Sequence, residues 1–120
     1  MKVTDFLYKY QKSLFEKALN QINQEQYNEA IKNFSEILNF NPNNFLVFKE
    51  RGFAREEVLD YRGAIEDFSK LIRVNPNEYS AYKIRAMIFQ KINCKKNSKN
   101  DFYKAEEIIS KSYLTLRKKI

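Results

Sequence analysis

Histidine is absent from the 120 residues, and the one thiol is Cys94. Without imidazole the chain lacks the commonest general base and metal ligand. Lys95 and Lys96 make an electropositive setting for Cys94, but no histidine completes a nucleophile–base pair, so the thiol reads as incidental. The carboxylates are scattered without metal-ligand spacing, and two glycines cannot form a phosphate-binding loop. The sequence therefore points to a non-enzymatic chain with no cofactor and no metal, whose chemistry is non-covalent recognition.

Two kinds of surface could supply it. The first is basic. Net charge is +7, and its excess is confined to one end: residues 1–78 hold 11 Lys/Arg against 12 Asp/Glu, whereas residues 79–120 hold 11 against 3. Lys91, Lys95, Lys96, Lys99 and the run Arg117-Lys118-Lys119 suit an anionic partner such as nucleic acid, an acidic protein or a lipid surface. Few aromatic residues interleave with these lysines and no nucleic-acid motif is present, so nucleic acid is disfavoured and a solvated lysine-rich surface is the blander reading. The second kind of surface is apolar, and its location depends on the helices that carry it.

Those helices are written in a repeat. Tyr27-Asn-Glu-Ala-Ile-Lys-Asn-Phe-Ser returns 34 residues later as Tyr61-Arg-Gly-Ala-Ile-Glu-Asp-Phe-Ser, and Asn41-Pro42-Asn43 returns as Asn75-Pro76-Asn77. A fixed period of this length with helical spacing inside it marks a stacked helix–turn–helix array. Tyr61, Ala64, Ile65, Phe68, Leu71 and Ile72 form an i, i+3, i+4, i+7 stripe behind an Asp60 N-cap. Asn75-Pro76 ends that helix, because the residue before proline is pushed out of the α region. The same logic predicts helices over about 5–23, 27–40 and 45–58. A third period keeps Tyr82, Arg85, Ala86 and Phe89, with Asn93 in the turn. It then decays, with Lys95, Ser98 and Ser110 replacing Tyr, Ala and Pro. Ser98 and Asp101 have the spacing of a capping box, which predicts a last helix from near 98 rather than 95, running to about 118.

On these residues the chain resembles the tetratricopeptide repeat (TPR) family. Phe48, Gly52, Tyr61, Ala64, Phe68 and Pro76 stand at its signature positions, as do Leu14, Ala18, Tyr27, Ala30, Phe34 and Pro42 one repeat earlier; Tyr82, Ala86 and Phe102 continue the pattern. The expected architecture is an all-α superhelical stack in a single domain over 1–120. Residues 1–10 form an N-terminal extension, 11–44, 45–78 and 79–112 the repeats (the last degenerate), and 113–120 a helical C-terminal cap. The resemblance implies a right-handed superhelix whose first helices line a concave groove, and hence a protein–protein interaction module, scaffold or adaptor.

If Leu14, Ala18, Phe48, Gly52, Tyr82 and Ala86 face the stack, residues offset around the helices face the groove. These are Phe15, Leu19 and Ile22, then Leu46, Lys49, Glu50, Phe53 and Glu56, then Lys83, Ile84, Met87 and Gln90. Phe15, Leu19, Phe53 and Met87 make an apolar row, fit for a peptide or helix of a protein partner; Lys49, Glu50, Lys83 and Gln90 would orient it. Residues 1–10, with Phe6, Leu7, Tyr8 and Tyr10, are a competing occupant from the chain itself. Some members of the family grip acidic chaperone tails with lysine at position 15, asparagine at 19 and 50, lysine at 80 and arginine at 84. This sequence has Phe15, Leu19, Glu50, Ser80 and Ile84, so that clamp is ruled out on every residue. Tyr113, Leu116 and Ile120 extend beyond the last repeat's own core. They fold back as a cap, pair two copies as a homodimer or self-assembling scaffold, or await a further repeat of a longer array. With no apolar run of membrane-spanning length and one cysteine, the chain reads as a cytoplasmic protein without membrane attachment.

Overall fold

The computed structural model describes residues 2–119, and these form six helices. They are α1 (Val3–Asn23), α2 (Tyr27–Phe40), α3 (Phe45–Glu57), α4 (Tyr61–Val74), α5 (Tyr79–Lys91) and α6 (Lys95–Lys119). Each helix packs chiefly on its neighbours in sequence, the order expected of a one-dimensional stack.

The sequence explains the boundaries locally. Asn44 caps α3 by accepting from the Val47 N–H at 3.4 Å, and Asp60 caps α4 by accepting from the Gly63 N–H at 3.0 Å. Within each repeat the chain reverses through a residue in the left-handed region: Glu25 (φ 61°), Leu59 (φ 66°) and Asn93 (φ 63°), again 34 positions apart. Asn93 tolerates that conformation; Glu25 and Leu59 adopt it because helices on both sides leave no other path.

The core is built joint by joint. Ala18, Ala30, Phe34, Ile37 and Val47 are buried together where the first repeat meets α3. Phe48, Ala64, Phe68, Leu71, Ala81 and Ile88 do the same between the second and third repeats, and Tyr82, Ala105 and Ile108 close the last hairpin. Gly52 is a close-approach position: a Cβ there would stand 2.9 Å from the Phe68 ring.

The structure corrects one boundary. The last helix starts at Lys95, not near 98, and the Ser98 N–H already donates to the Cys94 carbonyl at 3.0 Å. Ser98 is a buried stand-in for the alanine of the other repeats, and Asp101 is taken by Arg85, so neither is free to cap. The N-terminal residues 3–10 continue α1. Tyr10 leans on α2, edge-to-face with Phe40 and hydrogen-bonded to Glu36. Phe6 and Tyr8 are 66% and 68% exposed, so this segment does not fill a groove at α3 and α5.

Candidate functional site: a concave apolar hollow held by a buried ionic ladder

The sequence reading passed over the residues that set the helices' orientation. Arg51 donates to both carboxylate oxygens of Asp67, from Nε at 2.9 Å and from Nη2 at 2.7 Å, and its Nη1 reaches Ser35 at 3.1 Å. Arg85 repeats this one period later, with Asp101 at 2.7 and 2.8 Å and Ser69 at 2.9 Å. Each rung joins the second helix of one repeat to both helices of the next. Arg55 adds a second cationic partner to Asp67 at 3.1 Å. Asp67 is fully buried and Arg51 nearly so, and such charges are tolerated only when paired and hydrogen-bonded. The signal was available: Ser35/Ser69, Arg51/Arg85 and Asp67/Asp101 are charged or polar residues recurring at 34. In the first repeat Lys17 and Asn33 occupy the arginine and aspartate positions, and Asn33 turns to Gln21 at 2.8 Å.

With α3 and α5 so oriented, Lys49, Glu50, Phe53, Glu56, Phe68, Ile84 and Met87 surround a hollow of about 440 Å³ between these two helices, with Phe68 contributed by α4. Phe53 and Met87 are partly open to solvent at 41% and 45%, while Phe68 closes the floor. Tyr27 extends the apolar wall, its ring edge-to-face with Phe53 at 6.4 Å. Partial burial raises the Tyr27 hydroxyl above its ordinary value, helped by the Glu57 and Glu25 carboxylates. At one rim Lys91 donates to Glu56 at 2.7 Å and lies over the Tyr61 ring. That hydrogen bond, with the Glu56 charge, raises the Lys91 pKa.

Of the residues read from the sequence, Lys49, Glu50, Phe53, Ile84 and Met87 thus come together. Phe15 and Leu46 line a second, smaller hollow of about 240 Å³ with Tyr8, nearer the N-terminal end. Phe15 is also edge-to-face with buried Phe34. Leu19 and Ile22 are half-buried against the first repeat's core, which leaves them less surface for a ligand. Gln90 faces away from the main hollow, into a depression with Lys95, Lys99 and Phe102 between α5 and α6. Lys83 is exposed and outside both hollows. Glu56 was placed in the groove by sequence, whereas Phe68 and Tyr27 were assigned to the core; only packing shows that Phe68 lines the hollow and that Tyr27 packs on Phe53.

The basic residues do not form one patch. Lys95, Lys96 and Lys99 lie in the first turns of α6 and Arg117–Lys119 in its last, about 27 Å away at 1.5 Å per residue. Among the described residues no helix is long and apolar enough to cross a membrane, and no three His, Cys, Asp or Glu side chains stand close enough to hold a metal.

Several solved structures share this arrangement of helices. The chain superposes on a MamA structure ("MamA MSR-1 C2") with a TM-score of 0.80 at 22% identity, over 85% of this chain and 59% of that one. It superposes on the first TPR of Spaghetti (RPAP3), bound to the HSP90 peptide SRMEEVD, with a TM-score of 0.75 at 21% identity, over 82% and 78%. The chain has a TPR-like fold. A third match, the CopN–Scc3 complex, has a TM-score of 0.80 at 11% identity over 82% and 58%. The chain thus spans 59% of the length of the MamA chain and 58% of the Scc3-complex chain that it matches. No family model matches the sequence, and no curated protein matches it. The six helices of this TPR-like array amount to about three repeats.

Proposed function

We propose that the TPR-like array is a protein-interaction module that seats an apolar side chain of a partner's peptide or helix in the hollow of Phe53, Phe68, Ile84 and Met87. The observation that carries this reading is the hollow itself. It brings two large part-open apolar side chains, Phe53 and Met87, together over buried Phe68 with charged groups beside them. Apolar clefts with a few charged groups at the rim are the usual form of a ligand site. The RPAP3 structure holds an acidic peptide, SRMEEVD. Here Glu50 stands on the rim, and it disfavours a carboxylate and favours a lysine or arginine beside the anchor. The expected ligand is an aromatic or aliphatic anchor flanked by a basic residue. No catalytic step is part of this reading.

The test is selection from a random peptide library on the wild-type chain, with counter-selection on Phe53→Glu/Met87→Glu. Both replaced side chains are solvent-accessible, so the variant should keep its helical circular dichroism. Enriched peptides should carry an apolar anchor next to Lys or Arg and lose at least about tenfold in affinity for the variant. Peptides that bind both proteins equally would sink the assignment of the hollow.

A further inference from the structure

α6 is 25 residues long and its hairpin partner α5 only 13. Its first half packs: Ser98, Asp101, Ala105 and Ile108 are buried. From Ile109 to Lys119 every residue is exposed along about 16 Å of helix, although Asn77 of the α4–α5 turn borders a hollow beside Lys111, Ser112, Thr115 and Leu116. Along this overhang Ile109, Tyr113 and Leu116 lie at i, i+4, i+7 and are 48%, 62% and 63% exposed. An uncovered apolar stripe of this kind marks an interaction face.

The charges beside the stripe say which face. Lys104 and Lys111 are both engaged by Glu107, on the side away from the stripe. Glu106 and Arg117 flank the stripe on the same side at 100° per residue and have no ion pair among the described residues. They lie six positions before and five after Ser112. A parallel pair of such helices leaves Glu106 of one copy eleven residues, about 16 Å, from Arg117 of the other along the axis, so neither charge meets its opposite. An antiparallel pair centred near Ser112 instead sets Glu106 against Arg117 twice, and Ile109 against Leu116 twice.

We propose that the overhang of α6 is a self-association surface. Two copies pair antiparallel through Ile109, Tyr113 and Leu116, and Glu106 of each copy faces Arg117 of the other. The contact is isologous and therefore closes at a dimer rather than growing into a filament. A helix pair this short falls in the size class of weak, transient interfaces.

The experiment is sedimentation equilibrium of the full chain from about 5 to about 500 µM, the range where a small interface saturates. The weight-average mass should rise from the monomer's 14.4 kDa towards twice that value. Leu116→Glu should stay monomeric, Arg117→Glu should raise the dissociation constant at least about tenfold, and Glu106→Arg/Arg117→Glu should restore it to within about threefold. In a Cys94→Ser background, Ser112→Cys should form an interchain disulfide on oxidation, because the two-fold axis passes beside residue 112. Positions 106, 112, 116 and 117 are exposed and Cys94 is partly buried, so helical content serves as the folding control. A constant monomer mass overturns the proposal. So does self-association that survives Leu116→Glu, that is lost with Phe53→Glu (a second copy in the hollow), or that is replaced by binding of the monomer to phosphatidylserine vesicles. Only the loss with Phe53→Glu involves the hollow; the other outcomes leave peptide capture there untouched, so the two proposals fail separately.

Discussion

Asp67→Ala removes the acceptor at the centre of the ionic ladder, and its cost can be worked from the structure. The wild-type carboxylate is completely buried and takes two hydrogen bonds from Arg51 and one contact from Arg55. Its loss leaves the Arg51 guanidinium, 8% exposed, with only the Ser35 hydroxyl. Breaking a buried pair by deleting one partner costs about 3–5 kcal/mol, because an uncompensated charge remains. Asp101→Ala makes the same deletion one rung later, where the arginine side chain is 19% exposed and no second arginine is involved. Water can reach that guanidinium, so the cost should be smaller, about 1–3 kcal/mol. Urea denaturation followed by circular dichroism gives both numbers. The double replacement Arg51→Met/Asp67→Leu, which removes both charges, should recover most of the loss. An Asp67→Ala cost under about 1 kcal/mol, or one smaller than that of Asp101→Ala, would refute the ladder as an orienting element.

Three further outcomes follow from single residues. Gly52→Ala should destabilise by about 1 kcal/mol, the crowding of its Cβ against buried Phe68 at 2.9 Å outweighing the helix-propensity gain; a rise in midpoint temperature would contradict that packing. Leu59→Gly should stabilise by about 1 kcal/mol, since it relieves a left-handed leucine that is 69% exposed and packs on little; unchanged or lowered thermal stability would count against strain at this turn. The Glu107 carboxyl is held below its ordinary value by the Lys111 hydrogen bond and then by the Lys104 charge. A depressed carboxyl contributes stability above its unfolded pKa and loses it as pH falls through the folded value. Acid titration should therefore loosen the end of α6 below about pH 4.5, and Glu107→Gln should flatten that part of the profile when amide exchange of residues 104–115 is followed.

Much of the architecture was legible because stacking repeats write the same packing problem twice. Tyr61 to Phe68 and Tyr27 to Phe34 carry one stripe at one spacing, and Pro42 and Pro76 end both helices for one steric reason. The start of α6 was misread because Ser98 and Asp101 satisfy a local capping pattern, while their fate is settled by tertiary neighbours, a buried alanine-like slot and Arg85. The hollow was legible in part. Helical offsets find Phe53, Ile84 and Met87, but how far a side chain on the neighbouring helix reaches through is a packing property, so Phe68 and Tyr27 were missed. The ladder was missed for a different reason: charged residues were treated as surface, and only distances show Arg51 inside.

On α3 and α5 the ladder and the hollow lie on alternating residues of the same turns. Arg51 points into the joint while Glu50 and Phe53 point out, and Arg85 points in while Ile84 and Met87 border the cavity. The orientation of each helix is thus locked by groups that no ligand need touch. Positions 46, 49, 53 and 87, all exposed, can therefore be diversified together at little risk to the scaffold, whereas Ile84 also packs against the core. Such a chain can change what it recognises in single-residue steps, each passing through a folded intermediate, and it offers a small frame for building binding libraries.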